Sequence, residues 1–229
     1  MAYWSKNRSH LYRRNADGSG QEEQLTGEPG NSKFPDNWSP DGKYILYREL
    51  SPKTANDLWL LPLDERRKPV PLLESRADEA GGVFSPDGRW IVYDSNESGR
   101  YEVYVRPFSR TQFSTGSKIQ ISNQGGNDPL WSGDGREIFY GNFNAPGYPI
   151  FSARIRVGTE GIEAEAPMQL FAMPQAPGPH TWAVTNDGQH FLIERAGRQA
   201  GFAPLTVMVT WQADRIAVRA GTRTSVDAR

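Results

Sequence analysis

The sequence feature that most constrains the fold is a decapeptide that recurs along the chain. Phe-Ser-Pro-Asp-Gly-Arg-Trp-Ile-Val-Tyr stands at residues 84–93, and similar segments stand at residues 38–47, 131–140 and 184–193. Ser-Pro-Asp-Gly favours a tight turn, because Pro presets φ, Asp can hydrogen-bond its own backbone and Gly accepts a positive φ. The β-branched and aromatic residues after the turn favour a strand. Each copy therefore predicts two strands joined by a turn.

The spacing of the copies predicts the fold class. The turn aspartates are Asp41, Asp87, Asp134 and Asp187, so successive copies are 46, 47 and 53 residues apart. A period of this length built from strands is typical of propeller blades. Further strand-like segments follow each turn, and four antiparallel strands make one blade. We therefore predict an all-β protein, a β-propeller of about five four-stranded antiparallel blades.

Blade boundaries follow from the same repeats. We expect a propeller over residues 1–219, followed by a flexible tail at residues 220–229. The expected blades lie at about residues 1–27, 35–74, 80–122, 127–172 and 180–219. The first blade is incomplete, because its inner strand and turn would precede Met1. Its unpaired backbone must be covered. Three outcomes stay open: the C-terminal segment supplies the strand, the chain is a fragment of a larger propeller, or two chains self-associate through this blade.

The units resemble the WD-like repeat of TolB-type propellers, whose blade core reads strand, Ser-Pro-Asp-Gly, strand, loop, strand. The resemblance covers roughly residues 2–211. Residues 94–108, together with residues 131–140 and 187–193, look more narrowly like the propeller found C-terminal to bacterial serine/threonine protein kinases. That resemblance implies a sensing or protein-binding appendage whose catalysis belongs to a separate domain. Similar propellers also gate the active sites of prolyl-oligopeptidase-type serine peptidases.

The sequence shows no catalytic constellation. It contains no glycine-rich phosphate loop after a strand, no His-Arg-Asp, no Asp-Phe-Gly and no Gly-x-Ser-x-Gly motif. Its three histidines, His10, His180 and His190, lack metal-ligand spacing. It has no cysteine, so disulfides are excluded. We therefore assign no catalytic residue, no metal and no cofactor, and we favour binding over enzymatic activity.

Charge and hydropathy limit the classes of partner that the sequence predicts. The net charge is −1, so the whole chain shows no electrostatic footprint for nucleic acid. No run of about 18 apolar residues is present, so no membrane-spanning helix is expected within the chain. The first residues lack the apolar core of a signal peptide. The compartment stays open: periplasmic or extracytoplasmic if the chain is the tail of a membrane-anchored protein, and cytoplasmic otherwise.

Candidate binding residues lie on loops at one end of the predicted ring. Blade-to-blade loops and the loops between second and third strands emerge at the same end, because both follow strands of the same sense. The candidates are Asp36, Asn37, Asp78, Glu79, Asn127, Asp128 and His180 from the first set, and Glu49, Asp94, Asn96, Glu97 and Arg100 from the second. They predict a polar face, rich in carboxylates near the axis, that binds a protein or peptide.

Other interpretations of these loops remain. They are also compatible with ordinary solvated loops. A further alternative is a hydrolase that uses axial carboxylates, as glycosidases use paired acids. The propeller could equally gate a separate peptidase or kinase catalytic domain.

Overall fold

The chain folds into sheets and turns. The computed structural model describes residues 2–4, 9–27, 30–109, 113, 117–158, 161–173, 182–193 and 206–208. This described part contains no helix, and hence none that could cross a bilayer. The tail predicted at residues 220–229 lies outside the described residues. The described strands form five antiparallel sheets that follow one another along the chain.

The first sheet has three strands, in the order β1-β2-β3. The strands are β1 (Ala2–Trp4), β2 (Leu11–Arg13) and β3 (Glu23–Gln24). Within the described residues, no strand pairs with β1 on the side away from β2. The described sheet therefore has one strand fewer than a four-stranded blade, which agrees with the prediction for the first blade.

The second and third sheets are complete four-stranded blades. The second comprises β4 (Lys33–Trp38), β5 (Tyr44–Ser51), β6 (Ala55–Pro62) and β7 (Val70–Leu73). The third comprises β8 (Glu79–Phe84), β9 (Trp90–Ser95), β10 (Glu102–Pro107) and β11 (Ile119–Gln120). In each sheet the strands lie in sequence order and each pairs with the next, as expected for a meander that forms one blade.

The fourth sheet is longer and the fifth is shorter. The fourth comprises β12 (Asn127–Trp131), β13 (Glu137–Gly141), β14 (Pro149–Val157), β15 (Ile162–Ala164) and β16 (Met168–Ala172). The fifth comprises β17 (Trp182–Val184), β18 (Phe191–Ile193) and β19 (Thr206–Met208). The C-terminal part of β14, residues 155–157, pairs with β15, and its N-terminal part, residues 149–152, pairs with β16. This extra hairpin accounts for the longest repeat step.

The repeated turns are held by local hydrogen bonds. The Gly88 N–H donates to the Ser85 carbonyl at 2.8 Å, and Gly88 has a φ of 68°. The Ser85 hydroxyl donates to Asp87 at 2.6 Å and accepts from the Trp90 N–H at 2.9 Å. The same hydroxyl position is occupied by Ser39, Ser132 and Thr185 in the other turns. All of these partners lie within five residues, so sequence alone specifies the turn.

The core lies between neighbouring sheets. Leu46 and Leu58 of the second sheet pack in one buried cluster with Phe84 and Ile91 of the third. Comparable clusters join the first sheet to the second, the third to the fourth and the fourth to the fifth. Face-to-face packing of successive sheets, with no helix among the described residues, is the architecture of a β-propeller.

The innermost strands share an irregularity that shapes the site. Strands β4, β8 and β12 each shift register against the next strand at the same point along the blade. The shifts lie between Pro35 and Asn37, between Ala80 and Val83, and between Asn127 and Leu130. A β-bulge of this kind re-aims the side chains that it carries.

Candidate functional site

Two ends of the blades must be distinguished. We call loop face the end at which β4, β8 and β12 begin and β5, β9 and β13 end. We call turn face the opposite end, which carries the Ser-Pro-Asp-Gly turns. Most of the candidate residues in the described part of the chain lie at the loop-face ends of their strands or in the adjoining loops. Asp36 and Asn37 were expected on a loop but lie inside β4, nearer its turn-face end. His180 lies outside the described residues.

Four successive innermost strands line one axial cavity of about 150 Å³. Equivalent positions, each five residues before a turn aspartate, contribute Asp36, Gly82, Pro129 and Trp182. The cavity also contacts Asp128. Of these residues, sequence reasoning selected the two aspartates and missed the other three. A fixed offset from the turn aspartate would have found them.

The bulges leave room for a carboxylate at the cavity wall. Gly81 and Asp128 occupy equivalent positions and both have left-handed φ values, 61° and 46°. Gly81 is required there, because a Cβ on it would lie 2.4 Å from Asp94 Oδ1 and 3.2 Å from Pro129 Cδ. Asp94 thus occupies the space that a side chain at position 81 would fill. Among the non-glycine residues that line this cavity, Asp128 is the one with a left-handed φ, and aspartate tolerates this region.

Asp36 is a buried acid held beside a base. Its side chain is 2% exposed, and Arg48 Nε lies 3.2 Å from its Oδ1. The Gly82 N–H also donates a hydrogen bond to it. Burial raises the pKa of Asp36 to about 7, since removal from water outweighs the opposing charge of Arg48, and the nearby Asp128 carboxylate adds to the increase.

Asp94 is the second buried acid of this group. It is 4% exposed, and the Asp128 N–H donates a hydrogen bond to its carboxyl. Burial, reinforced by the charge of Asp128, raises its pKa to about 8. Its Oδ1 has no hydrogen-bond partner among the described residues. We call Asp36, Arg48, Asp94 and Asp128 the axial cluster: Arg48 forms an ion pair with Asp36, and the charges of Arg48 and Asp128 act on both Asp36 and Asp94.

A row of buried polar residues crosses the third blade at the loop face. Glu79 and Glu102 both pair with Ser95 across the sheet. Glu79 is 2% exposed, accepts a 2.5 Å hydrogen bond from Ser75, and has an Oε2 without a partner in the described part of the chain. Burial raises the pKa of Glu79 to about 7, and the carboxylate of Asp57 adds to the increase.

Glu102 has a different environment from Glu79. The Arg100 Nε donates to it at 2.6 Å, and the Gly125 N–H donates to both of its oxygens at 3.1 Å. The Ser122 hydroxyl donates a further hydrogen bond. Protein donors therefore satisfy both oxygens of the buried Glu102 carboxylate. Arg100, which lies on the surface, provides one of these donors.

Asp78 joins the second blade to the third. Its Oδ1 accepts hydrogen bonds from the Asn56 backbone and side chain at 3.2 and 2.8 Å, and its Oδ2 accepts one from Tyr101 at 2.5 Å. Its own N–H donates to Asn96 Oδ1 at 2.9 Å. Asp78 and Asn96, both selected from the sequence, thus fix the position of the loop itself.

Two further candidates also have interactions within the fold. Asn37 accepts a 3.1 Å hydrogen bond from the Phe84 N–H of the next blade. Glu49 lies 3.4 Å from the buried ammonium of Lys33 and accepts a hydrogen bond from Asn31.

The remaining candidates differ in exposure. Asn127 is half-buried at the start of β12. Glu97 is exposed and forms an ion pair with Lys118. Among the described candidates, Glu97 and Arg100 are the exposed ones, and each forms an ion pair, with Lys118 and Glu102 respectively.

The axial cluster is better suited to binding a cationic group of a partner than to coordinating a metal ion. Within the described residues, no group of three or more His, Asp or Glu side chains is arranged to hold a metal ion. The axial cluster can instead accept hydrogen bonds from a cation, or retain a proton near neutral pH. Both capacities follow from burying Asp36 and Asp94 near one arginine, with the half-buried Asp128 beside them.

Comparisons with known proteins bear on the fold. No protein-family model matches the chain. An uncharacterized protein of Agrobacterium fabrum is 27% identical over 108 residues, which are 47% of this chain and 35% of that protein. TolB from Acinetobacter baumannii superposes with a TM-score of 0.60 at 16% identity, covering 86% of this chain and 48% of that one. The chain has a TolB-like β-propeller fold.

Other solved structures with this fold have different descriptions. A puromycin-hydrolyzing peptidase of Mycobacterium tuberculosis gives a TM-score of 0.61 at 18% identity, covering 84% of this chain and 33% of that one. A periplasmic gluconolactonase of Pseudomonas aeruginosa gives 0.58 at 16% identity, covering 94% and 68%. The TolB-like chain described here spans about a third of the curated relative and about half of the Acinetobacter TolB.

Proposed function

We propose that the chain is a non-catalytic module that binds a protein or peptide through its loop face. The observation that carries this proposal is the axial cluster, in which three acids and one arginine lie beside a cavity. Such a cluster attracts positive charge from a partner. The fold of TolB-like propellers fits a binding role.

The size of the cavity favours a binding role over the enclosure of a substrate. Small-molecule sites commonly occupy about 300–1,000 Å³, whereas the axial cavity measures about 150 Å³. It can accept one side chain of a partner. The rest of that partner would lie on the surrounding loops.

The turn face carries exposed ion pairs. Its surface arginines have carboxylate neighbours of their own: Arg89 lies 2.7 Å from Asp87, and Arg156 lies 2.5 Å from Glu165. Exposed ion pairs of this type contribute little to affinity or stability. The turn face thus offers a basic partner exposed acids that are already paired, whereas the loop face adds the buried acid Asp94, whose Oδ1 has no hydrogen-bond partner among the described residues.

Charge reversal on the loop face should weaken peptide binding. Peptides selected from a random display library on the immobilised propeller should be rich in basic residues. They should bind Glu74→Lys/Glu97→Lys at least about tenfold more weakly than the unmodified protein, because two exposed loop-face acids become bases. Binding is measured by biolayer interferometry at two salt concentrations.

The matched control carries the same net change elsewhere. Glu65→Lys/Glu163→Lys reverses two exposed acids away from the loop face, so the selected peptides should bind it within about twofold of the unmodified protein. Exposed substitutions of this kind change stability by about 0.5 kcal/mol or less. Equal losses in both double variants would refute the choice of face.

A more specific form of the same proposal is that the propeller binds a peptide for a separate catalytic domain. The likeness to kinase-associated propellers and the coverage of 33% of the peptidase chain both favour it. In that setting the loop face would bind a regulatory peptide or a substrate chain for the catalytic domain.

Hydrolysis by the axial acids is a second candidate function. The raised pKa values of Asp36 and Asp94 are those expected of a general acid near neutral pH. If binding is the function, the purified protein will show no turnover on a panel of lactones, glycosides and esters. Turnover that is abolished in Asp94→Asn and retained in Asp57→Asn, a buried acid outside the axial cluster, would establish the hydrolase instead.

A further inference from the structure

We propose that the axial cavity binds the ammonium group of one lysine side chain presented by the partner. This inference rests on the proposed binding function and adds the chemistry of the anchor residue. It draws on three observations: the donors and acceptors of the axial cluster, the apolar walls of the cavity, and the partial charge balance inside it.

The acceptors are arranged for a compact cation. An ammonium group has three donors and no acceptor. Asp36 and Asp128 line the cavity, and Asp94 reaches its wall through the space left by Gly81. Asp94 is 4% exposed and its Oδ1 has no hydrogen-bond partner among the described residues. A buried acceptor in that state costs roughly 1–3 kcal/mol, which a donor from a partner would relieve.

The walls suit the aliphatic stem of lysine. Val83, Leu130, Pro129 and the ring of Trp182 line the same cavity. Lysine buries its methylene groups along apolar surfaces while its charged end reaches polar groups. A metal ion would gain nothing from these walls. The described acids, moreover, are not arranged as a metal-ligand set.

The charge balance makes lysine binding depend on pH. The charged or titratable groups that act on Asp94 are Asp36 from β4, Arg48 from β5, Asp128 from β12, and Tyr101 just before β10. Because the pKa values of Asp36 and Asp94 are raised to about 7 and 8, the empty site retains protons near neutrality. An entering ammonium displaces them, so affinity rises as the acids ionise.

The test uses the lysine-containing peptides selected on the loop face. Replacing the anchoring lysine by norleucine keeps the stem and removes the charge, and should weaken binding at least about tenfold. Between pH 6 and pH 8 the lysine peptide should gain at least about tenfold in affinity, with proton release seen by calorimetry in buffers of different ionisation enthalpy. The norleucine peptide should show no such gain.

The protein side has a matched pair of variants. Asp94→Asn is isosteric and should lose most of the lysine preference and of the pH dependence. Asp57→Asn neutralises another buried acid, which is 3% exposed and off the axis, and should retain both. Thermal melting of each variant separates loss of binding from loss of fold, and a lysine preference that persists in a folded Asp94→Asn protein overturns the inference.

The two proposals can fail separately. If the peptides respond to Glu74→Lys/Glu97→Lys but bind equally with lysine or norleucine, the lysine anchor is wrong and the loop-face binding function stands. Binding that is lost on acetylating the peptide amino terminus and kept with norleucine also overturns the lysine assignment. If no peptide is selected on the loop face, the proposed function fails with it.

Discussion

Gly81→Ala should lower the free energy of unfolding by about 3 kcal/mol. The φ of 61° alone costs a non-glycine residue about 1 kcal/mol. The added Cβ would also lie 2.4 Å from Asp94 Oδ1, and overpacking of this kind costs about 1–3 kcal/mol. For a chain of this length the melting temperature should fall by roughly 10 °C. Urea denaturation and thermal melting measure both quantities.

The control for this change is Gly18→Ala. Gly18 has a φ of 79°, yet no atom lies within 4 Å of the position that a Cβ would occupy. Its substitution should therefore cost only the backbone strain, about 1 kcal/mol. The difference between the two variants isolates the collision at the cavity wall. Equal losses would show that Asp94 is not held against Gly81.

Glu79→Gln should stabilise the protein at pH 8 by about 2 kcal/mol and leave it unchanged at pH 4. The pKa of Glu79 is about 7 in the folded protein, above its ordinary value of 4.5. Stability from this group is therefore complete below pH 4.5 and is lost as the pH rises to about 7, because the unfolded chain ionises first. Glutamine carries no charge to bury, so the variant escapes this loss.

The measurement is urea denaturation of both proteins at half-unit steps from pH 4 to pH 8. The difference between the two curves should grow through the interval from about 4.5 to 7. Asp36 and Asp94 contribute a similar fall in both proteins, because their pKa values are also raised, so they cancel in the difference. A constant difference across this range would contradict the assignment.

Glu102→Gln should have the opposite effect, a loss of stability, at the other end of the same row of buried polar residues. Both glutamates pair with Ser95, but Glu102 accepts charge-assisted hydrogen bonds from Arg100 and backbone bonds from Gly125. Replacing its carboxylate by an amide weakens these bonds and should cost about 2 kcal/mol at pH 8. Stabilisation by this substitution would show that burial, and not the local donors, governs the whole row.

The sequence was a good guide to everything that depends on neighbouring residues. The turns were predictable because Ser85, Asp87 and Gly88 satisfy one another within four residues. The regular spacing of such turns then predicted an all-β propeller, which the structure confirms. Most of the polar candidates lie at the loop face, as the sequence predicted, but Asp36 and Asn37 lie inside β4.

The tertiary structure alone decided which of those polar residues form a site. Asp36, Asp94 and Asp128 are far apart in the chain and meet because three blades carry equivalent bulges. Asp78, by contrast, is used to join two blades. Sequence patterns report local backbone preferences, whereas burial and charge balance depend on contacts between blades. For this reason the amino-acid sequence by itself determined the propeller, whereas only the tertiary structure determined the acid-lined cavity.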